Sequence, residues 1–270
     1  MFLAIGFVII FSRPVKAAAN GVQLKANRTY TAYDVTGDGM KDKIRIRAAN
    51  QTDDEAYASL TVSVNGKTAY RLKNTRFYNV IANIYTLKNG QPFLYLYAPA
   101  ENGDGPVCAL LKYTNGKFRK ALDFTEIMAE YGNHRIGEVT NLNGNKIVIT
   151  ESIVSYSLGI NAINFTYEYV NGKFVPTSRY GSYKEIYSAD GSSRYFTVNS
   201  DLPAYTRPGA TAVNTTLKTG SLTKIIKCAL INGKMYIQLE CDGEIYWIKA
   251  LENPPIADNE RQFMEVRYAG

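Results

Sequence analysis

The 270-residue chain has one histidine, one tryptophan and three cysteines. A lone histidine, His134, confines any Ser–His or Cys–His mechanism to one position. It follows Gly132-Asn133 and reads as a solvated side chain. No Gly-x-Ser-x-Gly elbow, His-Glu-x-x-His helix or phosphate-cradling glycine loop occurs. No apolar run approaches the ~20 residues of a membrane-spanning helix. No run of five Lys or Arg marks a nucleic-acid tract. Charged residues make up only 20% of the chain and hydrophobic ones 46%, a globular composition rather than a disordered one. What is plentiful is tyrosine, with 21 residues, a strand-favouring type.

Residues Phe2 to Phe11 (FLAIGFVIIF) are almost wholly apolar. The run is too short to span a bilayer and fits a secretory h-region. Ala17 and Ala19 supply small residues for a signal peptidase, which places cleavage before Asn20. A buried N-terminal strand is the alternative. Residues 1–19 are therefore expected to be a signal peptide and the protein secreted, either released or held at the wall. Loss of Arg13 and Lys16 takes the net charge from +7 to +5. A two-residue turn at Asn232-Gly233 sets Cys228 opposite Ile237 and Cys241 opposite Lys224. The two sulfurs are then four residues out of register, too far for a disulfide, which needs Cα atoms within ~7 Å. Cys108, Cys228 and Cys241 are expected as buried thiols.

Asn-Gly pairs begin at residues 20, 65, 89, 102, 115, 143, 171 and 232. Both central positions of the favoured hairpin turn need positive φ, and Asn-Gly supplies them. Apolar residues alternate around these pairs, as in Leu60-Val62-Val64 and Phe93-Tyr95-Tyr97. Period two predicts half-buried antiparallel strands, an all-β chain. Only Asp123 to Tyr131 (DFTEIMAEY) reads as a short helix. A repeat is also present. Glycine turns at Gly39, Gly90 and Gly144 precede Asn-Gly-Lys hairpins at Asn65, Asn115 and Asn171 by 26, 25 and 27 residues. Three units of about 50 residues suggest propeller-like blades or a stack of small sheets. They occupy residues 20–185. Beyond, in residues 190–270, five short strands with Gly-bearing turns describe a small barrel.

The loop Asp34-Val35-Thr36-Gly37-Asp38-Gly39-Met40-Lys41-Asp42 places oxygen donors at positions 1, 3, 5 and 9, a flexible glycine at 6 and the Met40 carbonyl at 7. That spacing lets a short loop wrap a hard cation such as calcium. A polar turn without an ion is the alternative. The loop resembles the calcium loop of FG-GAP repeats, the blades of propellers. The resemblance implies one calcium site built from Asp34, Thr36, Asp38, Met40 and Asp42, with a structural role. Thr36 departs from the family's Asp or Asn, and the later units keep only the turn.

The stretch from Phe196-Thr197-Val198 through Leu217-Lys218-Thr219-Gly220-Ser221 to Gly243-Glu244-Ile245-Tyr246-Trp247-Ile248 resembles bacterial Src-homology-3-like domains. The resemblance implies binding of peptidoglycan peptides, polyanions or proteins. Tyr205, Tyr236, Tyr246 and Trp247 are the candidate groove residues. Packing in the core is the alternative for Tyr236 and Trp247, and alternation sets Tyr246 on the face opposite Trp247.

The chain thus reads as a secreted, non-catalytic binding protein: a propeller-like, calcium-stabilised β-repeat domain plus an SH3-like barrel. Peptidoglycan, another wall polymer or a surface protein is the expected partner. The alternative is a secreted carbohydrate-active or wall-modifying enzyme using a carboxylate pair on the repeat domain. Asp53-Asp54-Glu55 qualifies by charge alone.

Overall fold

The computed structural model describes residues 21–101, 103–186 and 194–268. The expected signal peptide and residues 187–193 of the expected domain boundary lie outside the described residues. The described chain is all-β and built of antiparallel sheets; it has no α-helix. A strand β1 (Val22–Leu24) comes first. Unit one is a four-stranded meander, β2 (Arg28–Tyr33), β3 (Asp42–Gln51), β4 (Tyr57–Val64) and β5 (Lys67–Phe77). Unit two supplies β6 (Ile81–Thr86), β7 (Pro92–Ala98), β8 (Val107–Thr114) and β9 (Lys117–Asp123), and β1 joins its edge at β6. Unit three supplies β10 (Gly132–Asn143), β11 (Lys146–Ser155), β12 (Gly159–Val170) and β13 (Lys173–Pro176). The repeat in the sequence is therefore a repeat of meanders.

The asparagines explain the regularity. Asn65, Asn115, Asn171 and Asn232 have φ of 50° or 51°, and the glycine after each is also at positive φ. Each pair closes a two-residue hairpin whose twist matches its strands. At Asn143-Gly144 the hairpin instead starts its loop with glycine, at φ 65°. At Asn89-Gly90 only Gly90 is left-handed, in a wider loop closed by Leu87 and Gln91.

After unit three, β14 (Tyr180–Ile186) pairs with β12 and also with β18 (Leu222–Ile231). With β15 (Tyr195–Thr197), β19 (Lys234–Cys241) and β20 (Glu244–Lys249), these strands extend unit three into one nine-stranded sheet. Two short strands, β16 (Leu202–Ala204) and β17 (Thr215–Leu217), form a separate pair. A β-bulge between Ile225 and Lys227 shifts the expected register: Cys228 does face Ile237, but Cys241 faces Thr223 rather than Lys224. All three cysteines are free and buried. The segment expected as a helix forms only the 3₁₀ turn Phe124–Glu126, capped by the Asp123 carboxylate. Nine residues are too few to hold a helix without a packed face, and here Phe124 turns inward to complete burial.

The three units stack in chain order and do not close into a propeller. The unit-two sheet is the middle layer. On β7, Phe93, Tyr95 and Tyr97 join the core shared with the nine-stranded sheet, while Leu94, Leu96 and Ala98 join the core shared with unit one. β8 divides likewise, with Cys108 and Leu110 on one side and Ala109 and Leu111 on the other. Alternation thus distributes apolar side chains to two cores, so β7 reads as a continuous apolar run.

The tyrosines carry a second function. β10 is the edge strand of its sheet. Tyr97, Tyr95 and Tyr85 donate their hydroxyls to the carbonyls of Arg135, Gly137 and Val139, at 3.0, 2.7 and 3.5 Å. These are alternate residues of β10, so the hydroxyls cover the side of the strand that β11 does not pair. Gly137 is required by this close approach, because a Cβ there would lie 2.2 Å from a Phe124 ring carbon.

A sheet buried on both faces makes a direct prediction. Phe93 and Leu94 are 1% and 0% exposed. Phe93→Ala and Leu94→Ala should each lose about 2–5 kcal/mol of unfolding free energy in denaturant titrations. A negligible loss at either neighbour would mean that one face of β7 is not in a core.

Candidate functional site

The Asp34–Asp42 loop enters β3 and folds around its own carboxylates. Asp34 accepts from the backbone N–H groups of Gly37 and Asp38 on Oδ1 and from that of Gly39 on Oδ2, at 2.6, 3.2 and 2.8 Å. Asp42 is buried and accepts from Val35 N–H, Thr36 N–H and the Asn65 side-chain amide, at 2.7, 2.9 and 2.6 Å. The Thr36 hydroxyl lies 3.3 Å from Asp34 Oδ1 and 3.2 Å from Asp42 Oδ1. The oxygens of positions 1, 3 and 9 therefore meet at Thr36. Desolvation opposes the Asp34 charge, but the Gly39 and Gly37 amides and the Thr36 hydroxyl outweigh it and lower its pKa. Asp38, at position 5, accepts from Met40 N–H at 2.8 Å, and Met40 is exposed. Among the described residues no three His, Cys, Asp or Glu side chains cluster as a metal-holding group. The donor set is chemically that of a hard cation site, since each carboxylate oxygen keeps further lone pairs. The loop's shape, however, is already closed by hydrogen bonds.

This loop forms one wall of a cleft of about 940 Å³. Ala32 to Gly37 line it from unit one. The opposite wall comes from unit two, as Thr86, the Asn89-to-Pro92 loop and the Lys112-to-Gly116 hairpin. The lining carries threonine hydroxyls, the amides of Asn89, Gln91 and Asn115, the rings of Tyr33 and Tyr113, and Lys112. Among the described residues, Asp34 is its only carboxylate, and no His or Cys lines it. The Lys88 N–H donates to the Gly144 carbonyl at 3.0 Å, tying the glycine turn of unit two to that of unit three. The alignment of Gly39 with Gly90 was the sequence signal for this cleft: equivalent turns of stacked units lie at the same end.

The aromatic candidates of the C-terminal strands do not form one surface. Tyr205, Tyr236 and Trp247 are 6%, 5% and 4% exposed and pack with Ala229 in a small core of their own. Backbone bonds between Tyr205 and Trp247 run both ways, at 2.8 and 2.9 Å. Tyr246 is half-buried and packs against the main core on the other face. The exposed ring nearby is Tyr180, 6.0 Å from Trp247, with Lys227 Nζ 4.7 Å from its centre.

His134 is not a solvated side chain. Its Nε2 lies 3.3 Å from Glu151 Oε2, and the two side chains are 12% and 2% exposed. β10 and β11 are neighbours, so strand pairing itself brings the two groups together. Burial raises the Glu151 pKa well above the carboxylate range, and the Asp123 charge adds to it. Burial lowers the His134 pKa against opposing charges from Asp123 and Asp104. Both groups thus favour their neutral forms. Cys108 does not meet His134; it receives the Gly137 N–H at 3.5 Å, and burial pushes its pKa up to about 12. Burial does the same to Cys228. Of the acidic triplet, Asp54 pairs with Arg76 on the surface. Compared with known proteins, the chain matches no family model, no curated protein and no solved structure.

The Glu151 shift fixes a pH dependence. The folded state holds a proton that the unfolded carboxylate releases near pH 4.3. This contribution is complete below that pH and is lost as pH rises toward the folded pKa. Glu151→Gln should therefore melt at a higher temperature than the parent at pH 8 and show no such advantage at pH 4. Equal melting at both pH values would mean that Glu151 is not buried as a neutral acid.

Proposed function

We propose that the protein is a secreted, non-catalytic binding protein that holds a neutral glycan segment of the bacterial wall in the cleft between units one and two. The observation that carries this reading is the lining of the cleft. It offers hydroxyls, amides and two tyrosine rings, the groups that hydrogen-bond and stack on sugars, and a single carboxylate already bound by amides. Glycoside cleavage needs two carboxyl groups about 5–10 Å apart, and among the described residues the cleft has no second one. Stacking of meanders in chain order supports the propeller-like relation of the units, and the antiparallel run β18–β19–β20 with the short strands β15–β17 supports the SH3-like one. The C-terminal aromatics then act mainly as packing, and the binding load falls on the repeat units.

Calcium belongs to this reading as a staple. Asp34, Thr36, Asp38, the Met40 carbonyl and Asp42 would hold it, and its charge would offset the three carboxylates without taking part in chemistry. It would stiffen the wall of the cleft that unit one provides. Asp38→Ala should then lower the melting temperature in calcium and change it little in chelator. The same loss in both conditions would reduce the loop to a turn.

The binding reading is tested by co-sedimentation of residues 20–270 with purified peptidoglycan sacculi. Pelleting should resist high salt, because most of the lining offers uncharged donors, acceptors and rings, with Lys112 its one cation among the described residues. Removing one hydrogen bond or ring contact, in Gln91→Ala or Tyr113→Ala, is worth about 1 kcal/mol and should weaken binding about fivefold. Absence of pelleting, or pelleting at low salt only, would overturn the cleft assignment.

A further inference from the structure

The outer face of the unit-one sheet is a separate feature, and it does not depend on the cleft. Strands β2–β5 carry Arg28, Lys43, Arg45, Arg47, Lys67, Arg71, Lys73 and Arg76, and their one acid is the buried Asp42. The inner residues of β3, Ile44, Ile46 and Ala48, are buried against unit two. Alternation therefore turns Lys43, Arg45 and Arg47 outward together, and all three are exposed.

Strand register arranges these charges in rows. Arg47 faces Thr61, which faces Arg71. Ala49 faces Ser59, which faces Lys73. Arg45 faces Ser63. A stripe of hydroxyls on β4 thus runs between cations on β3 and β5. The positive charges stand ~7 Å apart along β3 and ~10 Å apart across it. Lys43, Arg45, Arg47, Arg71 and Lys73 enter none of the ion pairs among the described residues. The acids of this unit are kept to its ends, at the Asp34–Asp42 loop and the Asp53-Asp54-Glu55 turn.

The face is also shaped. Asn50 and Asn74 adopt left-handed conformations, φ 60° and 54°, and β5 bulges opposite Tyr57 to Ser59. Bulges bend and twist a strand. Beside them lies a depression of about 440 Å³, lined by Arg47, Arg71, Lys73, Asn50, Asn74 and Ser59 with neighbouring small residues. Among the described residues, the lining has no carboxylate and no aromatic ring.

We propose that the outer face of β2–β5 binds a flexible phosphodiester-linked polyol chain. Its phosphates meet Arg45, Arg47, Arg71 and Lys73, and its hydroxyls meet the Ser59–Thr61–Ser63 stripe and the two asparagines. Charge complementarity selects an anion, and guanidinium forks suit phosphate oxygens. The missing aromatic platform disfavours nucleic acid, which single-strand binders hold by base stacking. The same absence disfavours a protein partner, whose interface would need a buried anchor. A flexible chain with one charge per short repeat adapts to both charge spacings on the sheet.

The test uses the whole processed protein and a linear glycerol-phosphate polymer, with affinity measured from low to high salt. Binding should weaken steeply with salt. Arg47→Ser/Arg71→Ser should lower the affinity about tenfold or more at low salt and reduce the log–log salt slope by about 1.4, or 0.7 for each phosphate no longer neutralised. Arg47→Lys/Arg71→Lys should recover most of the slope, and matched melting curves would show that both variants fold. Gln91→Ala, in the cleft, should bind the polymer as the parent does, so failure of the cleft reading leaves this result intact. Unchanged affinity in the serine variant would overturn the proposal. So would equal binding of charge-matched dextran sulfate, which would make the face a general anion surface, or tighter binding of single-stranded DNA, which would make it a nucleic-acid site.

Discussion

The structure depends on the contact between the middle sheet and the open edge of β10. An edge strand presents carbonyls and amides that must find partners or water. Here alternate β10 carbonyls are met by the hydroxyls of Tyr85, Tyr95 and Tyr97, and the Gly137 N–H is met by the Cys108 sulfur. Each tyrosine contributes a buried ring and a satisfied polar tip, which suits a boundary that is apolar in area and polar along one line. Tyr95 packs edge-on to Tyr85 and to Phe124 in the same layer. Three of the chain's 21 tyrosines thus have an architectural role at this joint.

Once that joint is formed, the rest follows in order. The other face of the middle sheet is apolar through Leu94, Leu96 and Leu111, so unit one covers it. Unit one then has one buried face and one free face, and its cations lie on the free one. The stack also brings the turns of units one and two to one end, which opens the cleft. Two surfaces of different chemistry result: a cleft lined mostly by hydroxyls, amides and tyrosine rings, with Lys112 and Asp34 as its charged groups among the described residues, and a basic sheet with hydroxyls. Binding a wall of glycan strands and anionic polymers would use both, with neutral contacts insensitive to salt and ionic ones strongly sensitive.

Much of the local structure was legible in the residues. Asn-Gly marked four two-residue hairpins because left-handed φ is costly for most other residues. The spacing from Gly39 to Asn65 recurred because each meander needs the same chain length. Errors came where packing overrode pattern. Asp123 to Tyr131 has a helix-like composition, yet Phe124 is drawn into the core and leaves a 3₁₀ turn. The bulge at Ile225–Lys227 moved Cys241 by one residue, since an inserted residue leaves no sign in a two-residue period. His134 looked solvated because its partner, Glu151, lies 17 positions away on the next strand.

The sequence by itself determined the all-β class, the hairpin positions, the three-unit repeat and the free state of the thiols. These depend on backbone preference and on period-two alternation, both local properties. Only the tertiary structure decided that the units stack without closing into a ring, that the sheet of unit three continues into the C-terminal strands, and that Tyr205, Tyr236 and Trp247 lie inside. It also decided which alternating face of β3 meets solvent. Alternation separates two faces but does not say which neighbour covers each, because burial is settled by contacts between strands far apart in the chain.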